Sequence, residues 1–478
     1  MNRGIERWLA PGAILVALLG LSLALILRSG DAAGEGVRAT LDLAEAMGGT
    51  DTVGYARALQ PRPFVFPEDH GPHPEYRTEW WYVTANLEGE DGRRFGTQFT
   101  LFRSALAPEP SGAERGDGMT GSPDPSMVGD GMAEEAVGRA AGDGMTGVAG
   151  ADAMADEMAS RGSGWATRQV HMGHFALTDV EGGAFYEAER FTRVANGLAG
   201  GTVDPLRIWM DGWSFSGGGS ASEVDPSAGA VFPFTVQAQE NGVSIDLTLE
   251  PAKRHVLQGD RGLSQKGREP GNASFYYSFT RLEARGVVEV DGQTHTVDGT
   301  AWLDREWSTS ALSDGQEGWD WFAIQLSDGR DLMVYRLRGP DDTTDPMSEG
   351  VIVSPDGSSR RLTRDDFQVT ATDRWTSPLD GSVYPSGWEV SVPSEELRLL
   401  VEPVLEDQEL NVTVRYWEGA VDVREITDED ELARAGAVDD RERPGTAEAD
   451  GPLTGWGYVE LTGYSAPVTG RIPESGSR

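Results

Sequence analysis

The alternation of large and polar side chains over residues 79–103 predicts a β-hairpin. Residues 79–87, EWWYVTANL, are rich in the aromatic and β-branched residues typical of strands, and residues 88–93 supply the Gly and Asp of a turn. In the second strand one face is expected to carry Phe95, Thr97, Phe99 and Leu101, and the other Gly96, Gln98, Thr100 and Phe102. A hairpin with one apolar face and one aromatic-polar face suits a barrel wall that lines a cavity.

The same pattern of short strands continues along the chain, with Gly, Asp and Asn turns between them. Helical periodicity is hard to find, so we expect an all-β barrel or sandwich. Further strands are predicted at residues 170–177, 184–191, 205–215, 231–239, 243–251 and 273–281.

The later half of the chain reads as a second copy of the first. Residues 318–326, GWDWFAIQL, align with residues 79–87 without a gap, and residues 332–338 follow as the second strand after a shorter turn. Residues 397–403, LRLLVEP, resemble residues 245–251, IDLTLEP. Similar strands in the same order predict two tandem β-domains.

The N-terminal segment differs in composition from the rest of the chain and is interpreted by itself. Arg3 and Arg7 precede an apolar run from Leu9 to Leu27, whose length favours an uncleaved transmembrane helix over a cleaved signal peptide. The two arginines predict a cytoplasmic N-terminus, with the folded part extracytoplasmic, periplasmic or at the cell surface. Residues 31–63 are expected to form a stalk.

Residues 107–163 form an insertion rich in Gly, Ala, Asp and Met, in which GDGM recurs three times. The insertion has almost no large apolar residues, so we expect it to be disordered. A Met-rich segment for a soft metal or a partner is the alternative. The acidic run around residues 428–450 is expected to be a loop.

The composition and motifs of the chain argue against several classes of function. Against 40 Lys and Arg residues stand 78 Asp and Glu, a net charge of −38 that argues against nucleic acid binding. Cysteine is absent, which excludes disulfides, thiolate metal sites and a cysteine nucleophile. No Gly-x-Ser-x-Gly motif, P-loop or dinucleotide fingerprint occurs, so serine-hydrolase chemistry is disfavoured and no cofactor is expected.

The most reaction-like residues are Asp304 and Glu306 within WLDREWS. On a strand these two carboxyl groups share one face, and a close carboxyl pair can hold one proton and act as a general acid. Beside Trp307 and Trp319, such an acid could protonate an alkene and stabilise the resulting cation over an aromatic face. An exposed loop or an ion pair with Arg305 is the alternative.

A ligand-binding wall is a second candidate. The aligned hairpins carry an aromatic face, and a hydrophobic small molecule or lipid would suit it. The candidate ligand-binding residues are Trp80, Tyr82, His174, Trp319 and Trp321. The pair His171 and His174 lies at i and i+3 of a strand, where the rings face opposite sides, so no metal site is predicted.

The segments DHGPHPEYRTEWWYVTANL, LQGDRGLSQKG, ASFYYSFTRL, GTAWLDREWSTS and GYVELTGY resemble the lipocalin-like family of AttH/CrtC-like proteins. This family includes acyclic carotenoid 1,2-hydratases and exported proteins labelled as predicted hydrolases. The resemblance covers about residues 64–470 apart from the insertion. It implies two lipocalin-like β-barrel domains, here residues 64–285 and 286–471, after residues 1–30 as anchor or signal.

The resemblance also implies site residues. The hydratases' His-x-Trp motif reads Arg305-Glu306-Trp307 here, and their Tyr-x-Asp pair reads Tyr335-Arg336-Leu337. Trp307 and Tyr335 therefore remain, while the His and the Asp are replaced.

Three functions stay open on this basis. The favoured one is a membrane-anchored, exported protein that binds a hydrophobic small molecule or lipid. The second is a carotenoid 1,2-hydratase-like lyase acting on an alkene or isoprenoid, with Asp304 and Glu306 as the acid and with Trp307 and Tyr335 in the site. The third is an accessory component of an ABC-type export system that contacts its permease.

Overall fold

The computed structural model shows an all-β protein. It describes residues 52–108, 168–194, 197–310, 312–313, 315–413, 415–427 and 452–465. In these ranges there is no α-helix, and no helix is long and apolar enough to cross a membrane. The all-β prediction is confirmed. The expected anchor, most of the stalk, nearly all of the insertion and the acidic run lie outside the described residues.

The first sheet has 13 strands in the described part of the chain, and every strand pair in it is antiparallel. Its strands are β1 (Thr78–Gly89), β2 (Arg94–Ala105), β3 (Gln169–Asp179), β4 (Ala184–Arg193), β5 (Ala199–Val203), β6 (Leu206–Met210), β7 (Trp213–Ala221), β8 (Ala230–Glu240), β9 (Val243–Pro251), β10 (Val256–Leu257), β11 (Leu263–Gln265), β12 (Ala273–Val290) and β13 (Gln293–Ser308). Their order is β4-β3-β2-β1-β13-β12-β9-β8-β7-β6-β5, with β10 and β11 paired to β12.

The second sheet has 11 strands in those same ranges, and a two-stranded hairpin accompanies it. The remaining strands are β14 (Gly318–Leu326), β15 (Asp331–Gly339), β16 (Thr343–Thr344), β17 (Glu349–Val353), β18 (Ser359–Thr363), β19 (Gln368–Ala371), β20 (Arg374–Thr376), β21 (Val383–Pro385), β22 (Trp388–Val392), β23 (Leu397–Pro403), β24 (Glu409–Leu410), β25 (Tyr416–Glu425) and β26 (Thr454–Leu461). Short 3₁₀ helices lie at Glu68–His70, Pro226–Ala228, Pro340–Asp342 and Pro393–Glu395.

The two sheets repeat one topology. The order β3-β2-β1-β13-β12-β9-β8 in the first corresponds to β17-β15-β14-β26-β25-β23-β22 in the second. In each, the first strand along the chain pairs with the last, β1 with β13 and β14 with β26. Such barrel-like sheets are consistent with lipocalin-like barrels. We call them the first barrel and the second barrel.

Each barrel encloses its own apolar core. Residues at alternate positions of each strand point inward, as the period of a strand requires. The first core includes Trp81, Val83, Phe99, Phe175, Trp213, Phe234, Leu247 and Trp307. The second core includes Phe322, Ile324, Val334, Trp388, Val390, Trp417 and Val459.

The outer faces of the two barrels pack against each other through a third apolar cluster. It contains Tyr82, Tyr276 and Trp302 from the first barrel and Trp321, Tyr335 and Tyr458 from the second. The aromatic-polar face of the opening hairpin is therefore an outer face. The expected cavity wall exists, but the cavity lies between the barrels.

The barrels approach each other closely at Gly96 on β2. A Cβ atom added there would lie 2.5 Å from the Cβ of Ala420 on β25. Since no side chain tolerates that distance, a glycine is needed for the barrels to touch at this point.

The boundary between the sheets falls after Ser308. Strand β13 pairs with β1 and β12 of the first barrel over its whole length, which differs from the expected start of a second domain at residue 286. The division into two domains stays a prediction, with its boundary moved by this pairing.

Candidate functional site

A cavity between the two barrels brings together most of the predicted site residues. Its empty volume is about 850 Å³, part of which is open to solvent. The lining residues are Trp80, Tyr82, Thr100, Phe102, Lys266, Tyr276, Asp304, Glu306, Ser308, Ser310, Leu312, Trp319, Trp321, Tyr335, Leu337, Tyr416, Glu418 and Glu460. Both barrels contribute to the wall, and the lining combines aromatic rings with four carboxyl groups.

Strand register places the carboxyl groups next to the rings. Tyr82 lies opposite Asp304 across the β1–β13 pair, and Trp321 lies opposite Glu460 across the equivalent β14–β26 pair. Because Tyr82 aligns with Trp321, Asp304 and Glu460 occupy equivalent positions of the two barrels. Glu418 completes the group as the direct cross-strand neighbour of Glu460.

Asp304 is buried at one side of the cavity and accepts three short hydrogen bonds. The hydroxyl groups of Ser278 and Tyr276 each donate at 2.5 Å, and the indole Nε1 of Trp302 donates at 2.7 Å. Burial raises the pKa of Asp304 to about 7, although these three hydrogen bonds lower it. Asp304 can therefore hold a proton near neutral pH, and it fixes the hydroxyl of Tyr276.

Glu306 lines the same wall and forms an ion pair. The Nζ atom of Lys266 lies 3.2 Å from its Oε1 atom. The same ammonium group lies over the rings of Tyr335 at 4.2 Å and Tyr276 at 5.2 Å. Lys266 thus places one positive charge among the carboxyl groups and the aromatic rings.

Glu418 is the most deeply buried carboxyl group of the cavity, with 1% exposure. Its Oε1 atom accepts a 2.5 Å hydrogen bond from the Tyr82 hydroxyl, whereas Oε2 is buried without a partner. Burial and the neighbouring charge of Glu460 raise the pKa of Glu418 well above its ordinary value. Burial also raises the pKa of Glu460 to about 8. The two neighbouring carboxyl groups share one titration, so the pair holds at least one proton near neutral pH.

The aromatic side chains form the apolar part of the wall. Tyr82 and Trp321, at equivalent positions of the two barrels, meet edge to face with centroids 5.2 Å apart. Trp80 and Trp319, the next equivalent pair, both pack against Phe102 and Met172. An apolar molecule placed here would contact rings from both barrels.

Three predicted site residues need separate comment. Tyr335 lines the cavity, with its hydroxyl 3.0 Å from Glu349. Trp307 points into the core of the first barrel, because it follows Glu306 on a strand, and it does not line this cavity. His174 is fully buried one layer behind the lining, hydrogen-bonded to Tyr416 at 2.8 Å.

The structure places the two motifs implied by the family resemblance in different surroundings. Arg305 and Trp307 face the first barrel's core, while Tyr335 and Leu337 both line the cavity. At the position where the resemblance implies an acid, the cavity has the apolar side chain of Leu337.

Behind the wall of β1 and β13 lies a buried cluster of charges. The carboxylate of Glu79 is ion-paired with Arg103 and Arg305 and accepts a 2.9 Å hydrogen bond from the backbone of His73. Arg305 stacks over Trp81 at 3.9 Å. Burial alone would raise the pKa of Glu79, but the two guanidinium groups hold it well below its ordinary value. This cluster fixes the strand that carries Asp304 and Glu306.

Glu418, Glu460, Tyr276, Tyr416 and Lys266 were not predicted as site residues. The repeat contained the signal for one of them, since extending it to the last strands would have aligned Asp304 with Glu460. Tyr416 and Glu418 stand at i and i+2, the same one-face spacing as Asp304 and Glu306.

Within the ranges that the structure describes, no three His, Asp or Glu side chains are grouped as metal ligands would be. The cavity carboxyl groups are instead hydrogen-bonded to hydroxyl groups, paired with each other or paired with Lys266. The arrangement therefore places carboxyl groups of raised pKa beside hydroxyl groups and aromatic rings.

Comparison with known proteins gives related folds. A solved AttH protein of Nitrosomonas europaea matches with a TM-score of 0.61 and 27% identity, over 86% of this chain and 100% of that one. The crystal structure of kievitone hydratase from Nectria haematococca matches with a TM-score of 0.53 at 12% identity, over 86% of this chain and 98% of that one, which shows the fold alone.

A curated sequence relative is kievitone hydratase of Fusarium solani subsp. phaseoli, 22% identical over 36% of this chain. The match spans 49% of that relative, so the chain covers about half the length of the curated protein. The sequence model of the AttH-like family matches residues 57–121 and 131–464, which include both barrels. The chain therefore belongs to the AttH-like family, within the lipocalin-like group that also contains the hydratases.

Proposed function

We propose that this protein is a hydratase-type lyase that adds water to, or removes it from, a hydrophobic alkene substrate held between the barrels. The observation that carries the proposal is Glu418, a buried carboxyl group that has an unpartnered oxygen in an aromatic cavity. Burial raises the pKa of Glu418 well above its ordinary value, which favours the protonated form. The relatives named as hydratases support the same reaction class.

Glu418 is assigned as the general acid. Its oxygen Oε1 is occupied by Tyr82, so the proton on Oε2 can pass to an alkene carbon. The C=C π bond breaks, a C–H bond forms and a carbocation remains. General acids of this kind contribute about 10²–10⁴-fold to rate.

The aromatic wall then stabilises the cation. Trp80 and Trp319 line the cavity, one from each barrel. A cation over the face of an indole gains about 0.5–2 kcal/mol or more when water is excluded. The same rings retain an apolar substrate before reaction.

Glu306 is assigned as the base that activates water. It is an ion-paired carboxylate on the opposite barrel from Glu418. Water attacks the carbocation, a C–O bond forms, and the released proton passes to Glu306. Asp304 supports this side of the cavity by holding the Tyr276 hydroxyl.

The test uses purified protein with kievitone and with an acyclic carotenoid in D₂O. Mass spectrometry is expected to show addition of one water with deuterium on the protonated carbon. Glu418→Gln and Glu306→Gln should each lower turnover by about 10²–10⁴-fold. Glu402→Gln, an exposed carboxyl group on β23, is the matched control and should turn over as the wild type does.

Binding without reaction is the competing function. Tryptophan fluorescence would then change on adding either compound, the change would weaken in Trp80→Ala, and no hydrated product would form. Wild-type turnover in Glu418→Gln would contradict the assigned acid even if the protein is an enzyme.

A further inference from the structure

A chain of hydrogen bonds leads from the cavity to the outer edge of the first barrel through His174. The Nδ1 atom of this fully buried ring lies 2.8 Å from the hydroxyl of Tyr416, and Nε2 lies 3.3 Å from Oε1 of Glu189 on β4. Both ring nitrogens are therefore held by groups that exchange protons. An imidazole in this position can accept a proton at one nitrogen and keep the other bonded.

The inner end of the chain is the proposed acid. Tyr416 and Glu418 stand two residues apart on one face of β25, and both side chains line the cavity. Burial and the charge of Glu418 raise the pKa of the Tyr416 hydroxyl well above its ordinary value. Tyr416 thus lies between His174 of the first barrel and Glu418 of the second.

The outer end of the chain is Glu189, whose side chain keeps 18% exposure. It accepts a 2.6 Å hydrogen bond from the Thr413 hydroxyl. Burial would raise the pKa of Glu189, but the hydrogen bonds from His174 and Thr413 lower it below its ordinary value. A carboxylate at this position compensates a positive charge on the ring of His174.

We infer that Glu189, His174 and Tyr416 form a proton relay that restores the proton of Glu418 after it has been given to the substrate. The inference rests on the proposed function, which makes Glu418 the acid. Without the relay, proton donation would leave an uncompensated carboxylate in a buried site, which is unfavourable.

The relay consists of two proton transfers that occur together, so that each group that gives a proton also receives one or becomes neutral. The Tyr416 O–H proton passes to the Glu418 carboxylate, and the Nδ1–H proton of the His174 imidazolium passes to the Tyr416 oxygen. The ring is left neutral, with its remaining proton on Nε2 toward Glu189. To close the cycle, the ring regains one proton from solvent and Glu306 releases the proton that it took from water, so no net charge is left in the site.

Other titratable groups surround the relay residues, and their charges influence the protonation of those residues. Those that face Glu418 are Tyr82 from β1 and Tyr458 and Glu460 from β26. The test therefore changes one relay member at a time and reads the protonation of His174 directly.

The experiment is ¹⁵N NMR of histidine-labelled full chain, with the His174 ring signals assigned by their loss in His174→Gln. Coupled sites shift each other's titration by about one pH unit or more, so the His174 midpoint should move by that amount in Glu418→Gln and in Tyr416→Phe. Glu189→Gln should lower the midpoint, because the imidazolium loses its carboxylate. His295→Gln is the matched control and should leave it unchanged.

An unmoved His174 midpoint in both Glu418→Gln and Tyr416→Phe would overturn the relay, even if the enzyme is active. Should Tyr416→Phe fail to fold, Glu418→Gln decides alone. Failure of the proposed function looks different: His174 and Glu418 titrate as a coupled pair, but no substrate is turned over.

Discussion

The buried charges behind the cavity wall give the sharpest stability prediction. Glu79 and Arg305 have 0% exposure and Arg103 has 2%, so Glu79→Gln would leave two guanidinium groups buried without their carboxylate. Removing one partner of a buried ion pair typically costs about 3–5 kcal/mol. For an unfolding unit of about 150–250 residues, the size of one barrel, each kcal/mol lowers Tm by about 2–4 °C, so we expect a drop of about 6–20 °C.

The assay is thermal unfolding followed by circular dichroism. The matched control is Glu395→Gln, which breaks the pair with Arg360 at the surface, where that arginine is 43% exposed. Surface pairs contribute about 0–1 kcal/mol, so the control should unfold near the wild-type Tm.

Acid pH supplies an independent check on Glu79. Its folded-state pKa is depressed, so its contribution is present above the ordinary pKa of about 4.3 and is lost as pH falls through the folded value. The gap in Tm between wild type and Glu79→Gln should therefore narrow as the solution is acidified. Equal Tm values for the Glu79 and Glu395 variants at neutral pH would refute the reasoning.

Three further predictions concern the cavity, the barrel contact and the N-terminal segment. Gly96→Ala should lower stability by about 1–3 kcal/mol in urea unfolding, because its methyl group meets Ala420; an unchanged midpoint would show that the barrels separate easily. Burial raises the pKa of Asp304 to about 7, so wild-type stability should fall as pH rises from about 4 to about 7, and Asp304→Asn should remove that part of the slope. Protease added to spheroplasts should degrade the folded part if the N-terminal segment is an anchor; protection until lysis would contradict export.

Much of the fold could be predicted from the sequence, because the alternation of side chains between the two faces of a strand depends only on neighbouring residues. The hairpin of β1 and β2 and its second copy in β14 and β15 lie at the predicted positions. The same alternation that put Asp304 and Glu306 on one face also puts Trp307 on the other. The position of Trp307 in the first core therefore follows from the sequence pattern alone.

The location of the cavity could not be read in this way. Alternation separates two faces of a strand, but it does not say which one faces the barrel interior and which one faces another barrel. Glu418 and Glu460 are 42 positions apart in the chain, and only the register of β25 against β26 makes them neighbours. Lys266 comes from a loop segment whose destination depends on both barrels.

The contact of Tyr82 with its own equivalent, Trp321, has a consequence for the history of the fold. Residues that touch their own counterparts are what a two-fold homodimer places near its axis. An ancestral chain with a single barrel would have covered this aromatic face by pairing with a second molecule, since a lone barrel would expose it. Divergence of two fused halves would then leave Glu306 beside Lys266 on one wall and the neighbouring carboxyl groups of Glu418 and Glu460 on the other.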